Sequence, residues 1–202
     1  MTRIAGLLEW LTNILTLHFW WVLYLLRGAV VLGVFPATAA VFAVIRYWLR
    51  KEDDEAVSVL FKRYYRENFR TANILGWALA IISLIIVVNW LFLPYYTNPV
   101  LKTVMYAIVI LFSFFVIVIW LYLFPVLVHY DLPLQNYLFI IFKTAAASFL
   151  SIIMQLLLIG IYVGIVYYLP PVAVLFGITF AAVAQMAISH NIFRQFDQQK
   201  EQ

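Results

Sequence analysis

The 202-residue sequence contains no cysteine, and only 11% of its residues are charged. The lack of cysteine excludes disulfides, zinc–thiolate sites and thiol nucleophiles, so the sequence does not indicate a redox compartment. Charged residues make up about a quarter of an ordinary soluble domain. Here 66% of the residues are hydrophobic instead. So much apolar surface must face lipid, which predicts an integral membrane protein.

Motifs of catalysis and nucleotide binding are missing as well. The sequence has no Gly-rich phosphate loop, no His-Glu-x-x-His pattern and no nucleophile elbow. The acidic run at residues 52–55 suits helix capping better than metal binding, because four consecutive carboxylates diverge instead of converging on one cation. We therefore expect no enzyme activity, no cofactor and no metal site.

Long apolar runs predict an all-α polytopic membrane protein, a single domain over residues 1–202 with about five transmembrane helices of about 20 residues each. The expected spans cover residues 11–34, 72–94, 104–126, 144–169 and 172–189. Proline disfavours helix interiors, so we divide the last charge-free tract at Pro170 and Pro171. A signal peptide is the alternative reading of the first run, but its length and Arg27 favour a retained span. The tail from His190 onward is expected to be solvated.

Lysine and arginine concentrate between the first two expected spans. The basic residues of this segment are Arg46, Arg50, Lys51, Lys62, Arg63, Arg66 and Arg70. The positive-inside rule places the segment on the cytoplasmic side of the plasma membrane. Five spans then put the C-terminus inside and the N-terminus outside. The net charge of +4 thus reflects membrane topology and not a nucleic-acid partner.

The basic segment, residues 37–71, is expected to form cytoplasmic amphipathic helices at the membrane interface. Residues 37–49 predict a short helix along the membrane surface, since Arg46 and Trp48 near its end suit that position. Apolar residues at helical spacing predict a second amphipathic helix, from Asp54 to Arg70. Its later turns carry most of the positive charge, which attracts anionic lipid heads. The candidate surface for a partner or for lipid is Arg46, Lys62, Arg63, Arg66 and Arg70.

Four polar residues are candidates for function. A charge inside a span is costly, so Arg27 marks either a functional site or a side chain that extends to the membrane interface. Asn73 either lines a pathway or bonds between helices, and the second reading is preferred. His129 and Asp131 follow the third expected span. They could form a proton-sensitive pair, because a nearby carboxylate shifts the pKa of an imidazole.

A Phe-Pro pair occurs twice, at residues 35–36 and 124–125, near the end of the first and third expected spans. Similar residues open the second and fourth spans, with Phe69-Arg70-Thr71-Ala72 echoed by residues 142–145. This pattern indicates either two parallel repeats or a chance match, since a sequence built mostly from a few apolar residue types produces short matches by chance. In both cases the proline is expected to end a helix.

Residues 33–40 read Gly-Val-Phe-Pro-Ala-Thr-Ala-Ala, and a basic, aromatic helix then leads into Ala72-Asn73-Ile74-Leu75-Gly76. With these residues and the second Phe-Pro pair, the chain resembles the YesL family of bacterial membrane proteins over nearly its whole length. The resemblance implies no established activity and no catalytic motif. It does imply a genetic setting, since members are often encoded beside genes for sugar importers and polysaccharide degradation.

Three hypotheses of function follow. The preferred one, implied by the resemblance, is an accessory or assembly component of carbohydrate uptake or polysaccharide utilisation, with sugar importer permease subunits as partners. The second is a small transporter or channel, which would form a homo-oligomer because five spans are few for a monomeric carrier. The third is a structural protein that interacts with membrane lipids through its basic helix.

Overall fold

The computed structural model describes residues 3–50 and 55–200, with the side chains of residues 6, 8–50 and 55–196. The described residues form seven α-helices and two short 3-10 turns, and no strand. The helices are α1 (Arg3–Arg27), α2 (Val34–Arg50), α3 (Val57–Phe92), α4 (Pro99–His129), α5 (Tyr137–Ala147), α6 (Phe149–Tyr168) and α7 (Pro170–Lys200). The all-α fold class is confirmed. The acidic residues 52–54 lie outside the described residues.

Four helices are long and apolar enough to cross a membrane. They are α3 with its following turn (57–95), α4 (99–129), α6 (149–168) and α7 up to residue 196. The prediction of a polytopic membrane protein is therefore confirmed. Two hydrogen bonds between tryptophan indoles and serines join α3 to α4, from Trp120 to Ser83 at 2.9 Å and from Trp90 to Ser113 at 3.0 Å.

The first expected span, residues 11–34, is corrected by the structure. Helix α1 ends at Arg27, and a turn over residues 28–33 separates it from α2. Among the described residues, α1 is not one of the four membrane-spanning candidates. Thr12, Asn13 and His18 interrupt its apolar residues and lower its hydropathy. The length of an apolar run was thus not sufficient evidence of a span.

The last apolar tract is divided at Pro170, but it also breaks at Ser148. The backbone of Ser148 is extended, with φ −151° and ψ 90°, and its hydroxyl accepts the N–H of Ser151 at the start of α6. The expected span at 144–169 therefore belongs to two helices. The expectation of a solvated tail is also corrected, because α7 continues past His190 and buries Ile192 and Phe193.

Helix α2 lies inside the bundle, where it contacts α1, α3, α4 and α7. All residues from Phe35 to Ile45 are buried. This corrects the expectation of a helix along the membrane surface. Four alanines and the lack of charge before Arg46 let the surrounding helices approach closely. The buried Thr38 hydroxyl donates to the carbonyl of Val34 at 2.7 Å and accepts from the Trp21 indole at 3.2 Å.

Helices α2 and α3 run antiparallel in close contact. A Cβ atom on Gly76 of α3 would lie 2.3 Å from the Phe35 ring at the start of α2, so only glycine fits. Asn73 donates to the carbonyl of Leu32 at 3.1 Å, just before α2. The two stretches that carry the family resemblance therefore pack against each other. Helix α3 is continuous from Val57, so the expected basic helix and the second span form one helix.

Helix α4 continues through the second Phe-Pro pair to His129, which corrects the expectation that Pro125 ends it. The Phe124 ring stacks on Phe42 of α2, with ring centroids 5.5 Å apart. Helices α2 and α4 consequently lie side by side and end together at one end of the bundle. Helix α7 leaves helical geometry at Gly177, where φ is 45° and the His18 ring of α1 packs against the backbone.

Candidate functional site

A cavity of about 400 Å³ opens where α2 and α4 end beside the first turns of α3; we call it the polar pocket. Its volume is within the range of small-molecule sites, about 300–1,000 Å³. Its lining comes from α2, α3, α4 and the connection to α5. The lining residues are Ala43, Arg46, Tyr64, Glu67, Asn68, Thr71, Leu127, Val128, His129, Tyr130, Asp131 and Tyr137.

One face of α3 supplies four of the polar groups. Tyr64, Glu67, Asn68 and Thr71 follow the spacing i, i+3, i+4 and i+7, which places them on one side of a helix. The Asn68 amide donates to the carbonyl of Tyr64 at 2.9 Å. Sequence reasoning missed Glu67 and Thr71 as site residues. The signal was this polar stripe, which is visible in the sequence beside the apolar face of the same helix.

The end of α4 supplies His129, whose ring stacks on Phe193 of α7 with centroids 4.2 Å apart. The His129 ring also meets Tyr130 edge-on at 4.6 Å. From α2, the guanidinium of Arg46 donates to the carbonyl of Val128. This bond joins the ends of α2 and α4, and it uses one of the carbonyls that a helix C-terminus leaves without a donor.

The connection between α4 and α5 is held by Tyr137. The Tyr137 hydroxyl donates to the carbonyl of Tyr130 at 3.2 Å and accepts the N–H of Leu132 at 3.4 Å. Burial raises the pKa of Tyr137, and the negative charge of Asp131 raises it further, although the Leu132 N–H opposes both. The hydroxyl therefore remains a donor at neutral pH and keeps Asp131 at the rim of the polar pocket.

The charged groups of the lining are one guanidinium, on Arg46, and two carboxylates, on Glu67 and Asp131. Both carboxylates belong to exposed residues, so a molecule that enters the cavity can reach them. These three groups together carry one net negative charge. Such a lining suits a group rich in hydrogen-bond donors or a positively charged side chain. Among the described residues, no cluster of three or more histidine, aspartate or glutamate side chains could hold a metal ion.

The structure brings three of the sequence-predicted candidates together, since Arg46, His129 and Asp131 all line the polar pocket. Two others lie elsewhere. Arg27 is exposed in the last turn of α1, with its guanidinium 5.5 Å from the centroid of the Tyr24 ring. Asn73 bonds the turn before α2, which is a structural contact between two helices.

The remaining basic candidates form an exposed surface on the first half of α3, outside the polar pocket. These are Lys62, Arg63, Arg66 and Arg70. Arg63 pairs with Glu55 at 3.0 Å and lies 5.1 Å from the centroid of the Tyr64 ring. Exposed ion pairs of this kind add little stability. The four cations outnumber this one paired carboxylate, so the surface keeps a net positive charge for contact with anionic groups.

The protein is an integral membrane protein with four membrane-spanning candidates. Its candidate site is the polar pocket at the end of two packed helices. Residues 14–90, which include α2 and most of α1 and α3, match the family described as "Protein of unknown function, DUF624". The chain belongs to this YesL-like family of unknown function.

Three relatives come from Bacillus subtilis (strain 168). The uncharacterized protein YteU is 30% identical over 197 residues, which cover 97% of this chain and 87% of YteU. The uncharacterized protein YesL is 28% identical over 95% of this chain and 90% of its own length. The uncharacterized protein YesV is 35% identical over 64% of this chain and 62% of its own length. No solved structure matches the chain.

Proposed function

We propose that the protein is an accessory or assembly component of carbohydrate uptake or polysaccharide utilisation, and that it holds a sugar importer permease subunit through the polar pocket. The observation that carries the proposal is the collection of exposed charged groups at one end of the bundle. The carbohydrate setting is taken from the family resemblance. No catalytic activity of its own is part of the proposal.

The polar groups inside the α3 and α4 spans support docking over transport. Ser83, Asn89 and Ser113 each donate to the carbonyl four residues earlier in their own helix, at 2.7–2.8 Å. Groups that are satisfied in this way do not need a polar pathway. In α3 and α4, the polar side chains that a partner can reach therefore lie mostly at or beside the pocket, and the spans themselves present mainly apolar surface.

The charges around the polar pocket indicate which side of the membrane the pocket faces. The pocket lies beside the exposed basic residues of α3, and lysine and arginine collect on the cytoplasmic side of bacterial membranes. The proposed site is therefore the cytoplasmic face of the plasma membrane, with the C-terminus on the same side. A cytoplasmic loop of a permease could place a lysine or arginine between Glu67 and Asp131, where charge-assisted hydrogen bonds are strong.

Affinity purification from the native host in mild detergent tests the proposal. The wild-type chain is expected to recover permease subunits of a sugar importer. The double variant Glu67→Gln with Asp131→Asn should lower that recovery about tenfold or more, because two charge-assisted hydrogen bonds are lost. Glu55→Gln is the matched control, since Glu55 is a carboxylate of the same helix region that pairs with Arg63 outside the pocket. Recovery of no permease by the wild type refutes the function, and equal recovery by the double variant refutes the role of the pocket.

A small transporter or channel is the second candidate, and one feature favours it. Gln155 of α6 is fully buried near Tyr122 of α4, and α7 is broken at Gly177. Broken helices and buried polar groups occur at the substrate sites of transporters. If this function is correct, the purified protein carries labelled sugar into liposomes and Gln155→Leu abolishes the uptake. Absence of uptake by the wild type excludes it.

A further inference from the structure

Helices α1 and α2 form an antiparallel hairpin. Trp10, near the start of α1, lines a cavity together with Trp48, near the end of α2. Further along both helices, the Trp21 indole donates to the Thr38 hydroxyl at 3.2 Å. The chain reverses direction in the turn at residues 28–33. The start of α1 therefore lies beside the end of α2.

The hairpin stays beside the first part of α3. The end of α2 reaches the polar pocket near Tyr64, and the Tyr24 ring in α1 packs on Tyr65 with centroids 4.7 Å apart. At the start of α2, the Phe35 ring meets Trp77 of α3 with ring centroids 5.2 Å apart. Helix α3 continues for 15 residues beyond Trp77, to Phe92, a distance of about 22 Å.

The apolar part of α2 is too short to cross a bilayer. It runs from Val34 to Ile45, 12 residues that extend about 18 Å, whereas the hydrocarbon core is about 30 Å thick. Arg46 follows directly. No charged residue occurs in the 18 positions between Arg27 and Arg46, so the hairpin can enter the hydrocarbon, but it has to turn back within it.

The turn has the backbone that such an environment requires. All seven N–H groups from Gly28 to Val34 donate to carbonyls of residues 24–30, at 2.7–3.1 Å. The carbonyl of Leu32 accepts from Asn73 of α3. Unbonded N–H groups are very costly in hydrocarbon, where no water can replace the missing partner. A turn with bonded N–H groups can therefore lie among lipid chains.

The side chains of the turn point to the same conclusion. Leu26, Val30, Val31 and Leu32 are 50–65% exposed. Three of these side chains lie on the turn and Leu26 lies just before it, and together they form an apolar patch that water disfavours and acyl chains accept. Arg27 is exposed next to them, and its guanidinium lies 5.5 Å from the Tyr24 ring, which packs on Tyr65 beside the pocket-lining Tyr64. The guanidinium can therefore extend to the lipid phosphates on the side of the polar pocket.

We propose that α1, the turn and α2 form a re-entrant hairpin that enters and leaves the membrane on the side of the polar pocket. Its partner is the lipid of that leaflet, with acyl chains around the turn and anionic heads at Arg27. The N-terminus then lies on the same side as the basic surface of α3. The hairpin and four spans replace the arrangement of five spans that was expected from the sequence.

Single-cysteine labelling tests the sidedness, and the chain suits it because it contains no cysteine. The variants are Gly6→Cys in α1, Glu55→Cys before α3 and Asn98→Cys between α3 and α4, all treated with a membrane-impermeant maleimide. We expect Asn98→Cys to react in intact cells, and Gly6→Cys and Glu55→Cys only after permeabilisation. Labelling of Gly6→Cys together with Asn98→Cys in intact cells overturns the proposal. Glu9→Cys repeats the test at a second exposed position of α1.

A spin label at Val31→Cys tests the environment of the turn in liposomes of anionic and zwitterionic phospholipid. Glu55→Cys is the water-exposed reference. We expect the Val31 label to collide more with oxygen, which dissolves in acyl chains, and the Glu55 label to collide more with a water-soluble nickel complex. If the nickel complex reaches both labels equally, the turn lies in water and the proposal fails. Leu26→Cys provides the same measurement on the other side of Arg27.

Discussion

Helices α2 and α4 both carry a Phe-Pro pair and pack side by side, yet the proline has a different position in each. Pro36 is the third residue of α2. N–H groups in the first turn of a helix have no helical partner, so a proline there removes nothing. Pro125 lies inside α4, four residues before its end at His129, and it leaves the carbonyl of Leu121 without its usual donor. The dipeptide alone therefore does not mark a helix end.

The surroundings of the two helices differ as well. All residues of α2 from Phe35 to Ile45 are buried, whereas Val109 is the only buried residue between positions 99 and 117 of α4. Burial in α4 begins where it meets α2, and residues 121–128 are all buried. The two Phe-Pro pairs therefore do not end two equivalent spans. One helix is an interior support and the other is mostly a lipid-facing span.

The largest effect should come from Phe42→Ala in α2. Phe42 is 1% exposed and stacks on Phe124, so its removal leaves a cavity between the two helices. We expect a loss of about 3–5 kcal/mol in the free energy of unfolding, measured by chemical denaturation in detergent micelles. Phe114→Ala is the control, because Phe114 is 46% exposed on the lipid-facing part of α4. Equal losses would show that α2 is no better packed than the lipid-facing surface.

Gly76→Ala tests the contact between α3 and the start of α2. The new Cβ would lie 2.3 Å from Cγ of Phe35, inside the van der Waals distance, so α2 must move or the ring must rotate. We expect a loss of about 1–3 kcal/mol, detected as a lower unfolding midpoint. Gly160→Ala is the matched control, since a Cβ at Gly160 has no atom within 4 Å. A normal midpoint for Gly76→Ala would contradict the close approach of α2 and α3.

The difference between α2 and the spans explains what the sequence could predict. Residues 72–94 fall within α3 and its following turn, and residues 104–126 fall within α4, because a continuous apolar run of that length has few alternatives to a membrane span. The position of α2 could not be read in this way. A helix rich in alanine, with charge only at its end, fits a membrane surface or a bundle interior equally well. Contacts with α3 and α4, distant in sequence, decide between them.

The polar pocket shows the same limit. His129 and Asp131 were identified because they follow an apolar run, and Arg46 because it ends a helix. Glu67 was not identified as a site residue, since one acidic residue in a basic helix is consistent with a solvated face. Its role in the lining depends on the antiparallel packing of α2 on α3, which brings Arg46 to the same end. Such a long-range arrangement leaves no local signal beyond the polar spacing on α3.

Replacing Pro125 should have a smaller effect on stability than the two variants above, and in the opposite direction. Pro125→Ala supplies an N–H for the carbonyl of Leu121, so we expect a gain of about 1 kcal/mol in the free energy of unfolding. Pro36→Ala supplies an N–H in a first turn, where it has no helical acceptor, and should change stability by less than about 0.5 kcal/mol. Thermal unfolding of both variants in the same detergent compares them. A larger gain from Pro36→Ala would reverse the roles assigned to the two prolines.

The smallest effect concerns the turn that leads into α2, which has no counterpart before α4. Val30 has a φ of 63°, in the left-handed region that costs an L-residue about 1–2 kcal/mol. Val30→Gly removes this cost but increases the chain entropy of the unfolded state, so we expect a net gain of about 0.5 kcal/mol. Val31 has a negative φ and provides the control. Val31→Gly also increases the chain entropy of the unfolded state, but it removes no backbone strain. Unfolding midpoints of the two variants should therefore move in opposite directions. If both fall by the same amount, the turn carries no backbone strain, and the start of α2 is as relaxed as that of α4.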